Sequence, residues 1–241
     1  MESYLLSNEQ FTSRLRQVGE ERYHDKHPYH IAMHEGKLSQ AQVRAWIANR
    51  FYYQKNIPVK DALILSKLPS REERREWLQR VIDHDGRQGD EGGIEAWIRL
   101  GEAAGIPREE MQDERHVLPS VRFAVDAYVN FCRLEPWPIA VASSLTELFA
   151  PTLVSKRIGV FEQLYPWIKP EGLAYFEARL TQAPRDADHG LRLVLRECRD
   201  RREQEQAIAA LRFKCDVLWA LLDALSLAYP DPANPGEEGR R

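Results

Sequence analysis

Apolar residues recur every three or four positions along most of this chain, which is the spacing of one face of an α-helix. Val43, Trp46 and Ile47 form one such stripe, and Trp77 and Val81 begin another. No segment alternates apolar and polar residues long enough to predict a β-strand. The pattern therefore predicts an all-α protein, a single-domain compact helical bundle of about seven main helices.

Residues that begin and end helices occur between these stripes. Ser7, Ser39 and Ser70 are each followed three positions later by Gln or Glu, the pattern of a capping box at a helix N-terminus. Gly36 and Gly105 stand where a helix should end, because glycine readily takes the left-handed conformation that closes a helix. Short connections between the helices are therefore expected.

The domain organisation follows from what lies between the helices. Residues 1–229 contain no internal repeat and no low-complexity linker, so we expect one all-helical domain there. Residues 230–241 (PDPANPGEEGRR) are rich in Pro, Gly and charge and are predicted to be a disordered tail. Asp186, Asp188 and His189 are typical of the start of a further helix with acidic residues in its first turn.

Charge and composition exclude several classes of partner. The 241 residues carry 34 basic and 37 acidic side chains, for a formal net charge of −3, so neither nucleic acid nor an anionic membrane is an expected partner. No apolar run approaches the roughly 20 residues that span a bilayer, and the first residues lack the layout of a signal peptide. Cys132, Cys198 and Cys215 form no CxxC pair and are expected to be buried free thiols. Free thiols of this kind are typical of a reducing compartment.

Charged and polar side chains interrupt the apolar faces of several predicted helices. They stand at helical spacing from Trp, Val and Leu residues, which places them on the inward faces. Burying such groups without partners is costly, so a core that holds many of them predicts a polar cavity for a ligand. The interrupting residues are Arg50, Tyr53, Gln54, Arg80, His84, Tyr175, Arg179 and Lys214.

Five cations from separate segments lie at or beside these apolar stripes: Arg50, Arg80, Arg157, Arg179 and Lys214. Each could form an ion pair with a carboxylate such as Asp61, Glu147 or Asp216. Five pairs would each need a buried acid of their own, whereas one anionic ligand would satisfy all five cations at once. Because Arg side chains bind carboxylates in a forked geometry, we expect a small polycarboxylate ligand.

His84 is the best candidate for proton transfer, because histidine exchanges protons near neutral pH. It stands one turn beyond Arg80 and opens a glycine-rich loop, residues 85–93 (DGRQGDEGG). The loop lacks the GxxxxGK[ST] pattern and follows no predicted strand, which argues against a phosphate-binding loop. A flexible lid or a positioning turn beside the active residue is the better interpretation.

Four histidines, His24, His27, His30 and His34, follow one another at spacings of three, three and four. The spacing suits one helix face, but Pro28 lies inside the cluster and no carboxylates stand at ligand spacing nearby. Capping, hydrogen bonding and surface roles are therefore favoured over a metal site.

Nine segments between residues 26 and 224 resemble the pyrroloquinoline-quinone synthase family (PqqC), and the match as a whole runs from about residue 20 to residue 229. The resemblance implies the all-helical haem-oxygenase-like fold that this family shares with thiaminase II. The segments are KHPYHIAMH (26–34), WIANRFYYQ (46–54), IPVKDA (57–62), RVIDHDG (80–86), GGIEAWIRLGEA (92–103), ERHVLPSVRFAVDAYVNF (114–131), SSLTELFAP (143–151), YPWIK (165–169) and RFKCDVLWALLDA (212–224).

The resemblance also implies an activity. It is the final step of PQQ biosynthesis, in which a tricarboxylate quinoline-dione precursor (AHQQ) is ring-closed and oxidised by eight electrons. Dioxygen is the co-substrate, PQQ the product, and hydrogen peroxide is released. The resemblance implies no metal and no organic cofactor, a cytoplasmic homodimer, and no nucleic-acid or membrane partner.

Matching positions imply the roles of the site residues. The implied catalytic residues are His24, His84, Tyr175, Arg179 and Lys214. The implied substrate-binding residues are Tyr23, Arg50, Tyr53, Gln54, Arg80, Tyr128, Thr146, Glu147 and Arg157.

One position departs from the family pattern. Family members have a histidine seven residues after the Glu of SSLTELFAP, and here that position is Val154. The departure leaves open a carrier of PQQ or its precursor, or a partial oxidase. A metal-dependent oxygenase on the same scaffold is a further alternative, but Arg179 beside a metal would oppose its charge.

Overall fold

The computed structural model describes residues 4–230, and within them eleven α-helices and three short 3₁₀ turns form the fold. The turns are His24–Lys26, Ser144–Leu148 and Pro170–Leu173. The helices are α1 (Asn8–Arg22), α2 (Pro28–His34), α3 (Gln40–Leu65), α4 (Arg71–Asp85), α5 (Gly92–Ala103), α6 (Arg108–Gln112), α7 (Pro119–Leu134), α8 (Trp137–Ser143), α9 (Ala150–Leu164), α10 (Ala174–Glu197) and α11 (Arg201–Ala228).

The all-α prediction is confirmed, but the predicted number of about seven helices is wrong. Helices α2, α6 and α8 have only five to seven residues, too few for a repeating stripe of apolar side chains. The expected helix start at Asp186 is also wrong, because Asp186 lies in the middle of α10. Pro184 precedes it inside the same helix, where proline usually marks a boundary.

The predicted helix ends are largely correct. Ser7 and Ser39 form complete capping boxes with Gln10 and Gln42. Ser70 accepts a hydrogen bond from the backbone of Glu73, whose carboxylate instead contacts Arg196. Gly36 and Gly105 follow α2 and α5 with φ of 70° and 79°, as left-handed helix ends require.

The long helices α3 and α11 organise the packing. Helix α3 contacts α4, α5 and α7, while α11 contacts α1, α7 and α8, and the two also touch each other. The buried apolar residues form two clusters, one containing Phe11, Trp77 and Tyr128, the other containing Trp46 and Trp97. The polar cavity described below is lined by members of both clusters, so it lies where the two meet.

Four further sequence predictions concern the cysteines, the C-terminal tail, the domain assignment and membrane spans. Cys132, Cys198 and Cys215 are free and buried, as predicted. Apart from Pro230, the predicted disordered tail (residues 230–241) lies outside the described residues, and the single-domain assignment of residues 1–229 stays a prediction. Between residues 4 and 230 no single helix is long and apolar enough to cross a membrane. One bent pair of segments, Trp137–Leu148 and Ala150–Leu164, is long and apolar enough when the two are taken together.

Candidate active site

A polar cavity of about 750 Å³, including its opening, lies between the middle of α3, the end of α4, α9 and the start of α10. The space inside it that can hold the centre of a water molecule is about 90 Å³. Twelve of the fourteen side chains implied by the family resemblance line it. These are Tyr23, His24, Arg50, Tyr53, Gln54, His84, Tyr128, Thr146, Glu147, Arg157, Tyr175 and Arg179.

The other two, Arg80 and Lys214, lie behind the cavity wall and not in it. Arg80 is buried against the ring of Trp77 and donates to Glu147 at 2.6 Å and to the backbone carbonyl of Asp186. Lys214 donates to the hydroxyl of Tyr53 at 2.8 Å. Both residues therefore reach a ligand only through the groups that they hold.

Two arginines on the cavity wall have no acidic partner among residues 4–230. Arg50 stacks on the ring of Tyr53 at 4.0 Å and forms no ion pair. Arg157 is buried against Trp46, with its Nε and Nη2 unpaired. Burial, and then the positive charge of Arg50, lower the pKa of Arg157, although its guanidinium stays protonated at neutral pH. Two unpaired guanidiniums make this part of the cavity ready for an anion.

The remaining arginine of the wall belongs to an ion-pair network. Arg179 lies 3.3 Å from Glu147 and 3.5 Å from Asp186, and Arg80 contacts the same two acids. Glu147, which the resemblance assigns to substrate binding, therefore neutralises two arginines. The ion-pair alternative thus holds for Arg80 and Arg179, while Asp216 pairs with Arg22 on the surface and Asp61 pairs with Lys60.

His84 is placed as a neutral base. Its Nδ1 lies 3.1 Å from the carbonyl oxygen of Arg80, which can only accept, so Nδ1 carries the proton. Nε2 is then the unprotonated nitrogen, and it has no partner among the described residues. Burial, and then the charge of Arg179, lower the pKa of His84 to about 4, so the ring can accept a proton at neutral pH.

Lys214 is enclosed by aromatic rings. Its Nζ lies 3.4 Å from the centroid of the Tyr128 ring and 4.1 Å from that of Tyr53. Burial, and then the charges of Lys60 and Arg50, hold the pKa of Lys214 well below its usual value. The contact with two π faces compensates part of this cost, because a ring face attracts a cation.

One side of the cavity combines Tyr175 with apolar groups. The Tyr175 hydroxyl donates to the side-chain oxygen of Gln54 at 2.8 Å, and its ring packs edge-on against Trp97. Val154 lines the same cavity and is buried in the cluster that contains Trp97. The valine therefore presents an apolar wall where the family pattern has an imidazole.

The four clustered histidines are all buried, so the expected surface roles are wrong for them. His27 caps α2 by accepting from the backbone of Tyr29, and its Nε2 lies 3.0 Å from Asp223. His24, His30 and His34 form a row of neighbouring rings. Within residues 4–230 no three His, Cys, Asp or Glu side chains converge as a metal site would require.

Lys60 is the charged cavity residue that the sequence analysis missed. It stands seven positions after Tyr53 on α3, so the helical spacing that identified Arg50 and Tyr53 extends to it. Its Nζ donates to Ser144 at 2.9 Å and pairs with Asp61 at 2.7 Å. The residue lies in the IPVKDA segment, which supports only the family resemblance, with no role assigned to Lys60. The missed uncharged lining residues are Ile57, Trp97, Ser144, Ala150, Leu153, Phe176 and Leu218.

The glycine-rich loop is a positioning turn and does not line the cavity. Arg87 and Asp90 exchange two backbone hydrogen bonds across a tight turn. A side chain on Gly92 would lie 2.4 Å from the backbone nitrogen of Gly86, so the loop needs glycine where its two arms meet. This contact fixes the start of α5 directly beside the end of α4, where His84 lies.

Known proteins of the same name match most of this chain. A Pseudomonas aeruginosa (strain LESB58) protein named pyrroloquinoline-quinone synthase is 55% identical over 220 residues, covering 91% of this chain and 88% of its own. A protein of the same name from Klebsiella pneumoniae subsp. pneumoniae is 53% identical over 224 residues, covering 93% and 89%.

Solved structures establish the fold. A Shewanella denitrificans domain with a heme oxygenase-like fold matches with a TM-score of 0.76 at 11% identity, covering 99% of this chain and 100% of that one. A TenA homolog from Pseudomonas syringae pv. tomato matches with a TM-score of 0.71 at 14% identity, covering 93% and 97%. The sequence profile of the TENA/THI-4/PQQC family matches residues 12–224. This chain therefore belongs to the TENA/THI-4/PQQC family and has the haem-oxygenase-like fold.

Proposed function

We propose that this protein is a pyrroloquinoline-quinone synthase, which ring-closes AHQQ and oxidises it by eight electrons to PQQ with O2. The observation that carries the proposal is a pair of guanidiniums without an acidic partner, the half-buried Arg50 and the buried Arg157, in the same cavity as the neutral base His84. A tricarboxylate supplies the missing anions, and its ring then lies against the base. The names of the Pseudomonas and Klebsiella relatives support the same reaction.

In this proposal the cationic wall binds and orients the substrate. Arg50 and Arg157 take two carboxylates, and Lys60, already paired with Asp61, adds a further donor to the wall. Arg80 contributes indirectly, because it holds Glu147 and so positions Arg179. Substrate orientation of this kind supplies much of the rate enhancement when the reacting atoms approach a fixed base.

The unprotonated Nε2 of His84 removes carbon-bound protons from the substrate. The resulting electron-rich states reduce O2, and each O2 that becomes H2O2 takes up two electrons and two protons. Tyr175 and Arg179 stabilise the developing negative charge on oxygen by hydrogen bonding and charge. Lys214 acts through Tyr53, whose hydroxyl it holds.

The proposed reaction uses no metal and no organic cofactor. The support is electrostatic: a cation in this cavity would meet Arg50, Arg157, Arg179 and Lys60, and it would compete with them for Glu147. A cytoplasmic homodimer remains part of the proposal, on the family resemblance alone.

A carrier that binds PQQ or its precursor without turnover is the second candidate. Val154 is the feature that favours it, because the valine removes a proton-transfer group from the cavity wall. Arg50 and Arg157 would serve a carrier equally well, whereas a neutral base with a free nitrogen has no purpose in one. Turnover therefore distinguishes the two candidates.

The decisive experiment mixes the protein with AHQQ without oxygen and then admits air while the absorption spectrum is followed. A synthase changes the chromophore on binding, and oxygen admission then yields PQQ and peroxide. A carrier binds with no oxygen uptake, which would overturn the proposal.

Variants test the oxygen step separately from binding. Arg179→Ser and Lys214→Ala are expected to slow the oxygen-dependent phase more than anaerobic binding. Loss of binding together with normal turnover of bound substrate would contradict the roles assigned to these two residues. Metal analysis of the active protein, with turnover measured after chelation, separates this proposal from a metal-dependent oxygenase.

A further inference from the structure

Three buried histidine rings link the cavity to the outside of the molecule. The ring centroids of His24 and His30 are 4.6 Å apart, and those of His30 and His34 are 6.0 Å apart. His24 lines the cavity at one end. His34, at the other end, lines a separate surface depression whose rim carries Lys156 and Glu20.

The ring nitrogens along this row are not engaged elsewhere. Among the residues that the structure describes, His24 Nδ1, His34 Nε2 and both nitrogens of His30 are buried without a hydrogen-bond partner. Buried polar atoms are normally satisfied, so four unsatisfied nitrogens on adjacent rings need an explanation. His27, in the same segment, shows the alternative, since both of its nitrogens contact Tyr29 and Asp223.

Burial and the nearby positive charges favour neutral rings while the cavity holds no anion. Burial, and then the charges of Arg50 and Arg157, hold the pKa of His24 far below its usual value, and burial lowers the pKa of His34 to about 3. Burial, and then the neighbouring His24, lower the pKa of His30. The charged groups that face the row are Arg50, Arg157, Lys214 and Lys156, with Asp25 and Lys26 at its outer rim.

We propose that His24, His30 and His34 form a proton path between the active-site cavity and the protein surface, and that an anionic ligand on Arg50 and Arg157 opens it. The dependence on an anion rests on the proposed function. A bound anion offsets the positive charges of Arg50 and Arg157, so these two residues no longer lower the pKa values of the histidines. A proton from solvent then binds His34 and passes through His30 to His24.

Each transfer moves one proton and no electrons. An imidazole that receives a proton on one nitrogen can release the proton of the other. Because no hydrogen bond joins neighbouring rings of the row, each step also needs a bridging water molecule or a turn of a ring. At the cavity end His24 delivers the proton to reduced oxygen, whose electrons come from the substrate. The path thus supplies protons at a place other than His84, which removes them from carbon.

The test follows proton uptake when PQQ binds, so it does not require turnover. A pH-indicator dye in weakly buffered solution near pH 6.5, the usual histidine pKa, is mixed rapidly with protein and PQQ. The wild type is expected to take up about one proton per bound PQQ, as charge linkage requires. Uptake is expected to keep pace with binding.

Three variants identify the route. His34→Ala and His30→Phe are expected to bind PQQ but to take up the proton at least tenfold more slowly, on the order of the smaller effects seen for lost proton-transfer groups. Added imidazole should restore the rate in His34→Ala, because it fits the vacated outer position, and not in His30→Phe. His27→Asn, which keeps the helix cap, should match the wild type.

The outcomes separate the path from the proposed function. PQQ that binds without proton uptake, or uptake that stays fast in both variants, overturns the path and leaves the function standing. Slow uptake in His34→Ala that imidazole does not restore also overturns the path. If His30→Phe does not fold, His34→Ala with and without imidazole decides alone. PQQ that fails to bind the wild type overturns the proposed function, and the path with it.

Discussion

His84 turns its Nδ1 towards the carbonyl oxygen of Arg80, one helical turn earlier in α4, at 3.1 Å. The bond fixes both the ring and its tautomer, so the free Nε2 is available as a base. The guanidinium of Arg80 is in turn held by Glu147 and Asp186. Arg80 thus anchors the base His84 through its backbone carbonyl. Through its side chain it also holds the two carboxylates that pair with Arg179.

The His84→Ala variant is expected to bind PQQ normally and to lose activity, since the cations remain while the base is gone. A positioned general base usually contributes about 10²–10⁴-fold to the rate. Single-turnover measurements should show early, unoxidised species accumulating. His189→Gln is the control, because His189 is equally buried but does not line the cavity. Turnover of His84→Ala within a few-fold of wild type would remove His84 from the mechanism.

Replacing Arg157 by Gln should mainly weaken PQQ binding, whereas the same replacement at Arg80 should mainly lower the stability of the fold. Arg157→Gln removes an unpaired cation from the cavity, so PQQ affinity is expected to fall by about 10–100-fold with little loss of stability. Arg80→Gln leaves Glu147 and Asp186 short of a cation and is expected to cost roughly 3–5 kcal/mol of folding free energy. Calorimetric titration with PQQ and urea unfolding of both variants measure the two effects. Equal losses of affinity would show that Arg80 binds the ligand directly.

Much of this site could be predicted from the sequence, because helical spacing alone places Arg50, Tyr53 and Gln54 on one inward face. Spacing does not tell how a buried cation is compensated. Arg80 and Arg157 look alike in the sequence, yet one meets two acids from distant segments and the other meets none. Asp186 comes into place only because α10 continues through Pro184, and Glu147 comes from the 3₁₀ turn Ser144–Leu148. Tertiary packing decides which buried cation meets an acid, and the local sequence pattern does not predict that packing.

The protein is expected to lose stability in mild acid, before most carboxylates protonate. Folding depresses the pKa of the buried histidines, to about 4 for His84 and about 3 for His34. The unfolded chain therefore binds more protons than the folded one below about pH 6.5. Stability is fully present above that pH and falls as the pH drops towards the folded-state pKa values. The slope is up to about 1.4 kcal/mol per pH unit for each histidine that titrates only when unfolded.

Urea unfolding between about pH 7 and about pH 5 measures this slope. His30→Phe is expected to make this slope shallower, whatever its absolute stability. A slope that is the same in both proteins would mean that His30 is protonated in the folded state.

Val154→His is expected to change the oxygen-stage kinetics without creating activity from nothing. Val154 lines the cavity, but His84, Tyr175 and Arg179 are in place without it. Single-turnover spectroscopy under air compares the wild type, Val154→His and Val154→Leu, which is close to histidine in volume but has no titratable nitrogen. A wild type that stalls at an incompletely oxidised species, and is rescued only by the histidine, would favour a carrier or a partial oxidase.

The two unpaired guanidiniums, Arg50 and Arg157, have a consequence for the lifetime of the protein in a cell. Their mutual repulsion in the ligand-free state opposes folding, and a bound tricarboxylate removes that opposition. The ligand-free protein therefore unfolds more often and is the better substrate for proteases. Limited proteolysis with and without PQQ should show protection by PQQ that is weaker in Arg157→Gln. Abundance of the protein would then rise and fall with the supply of its own ligand, with no dedicated regulator.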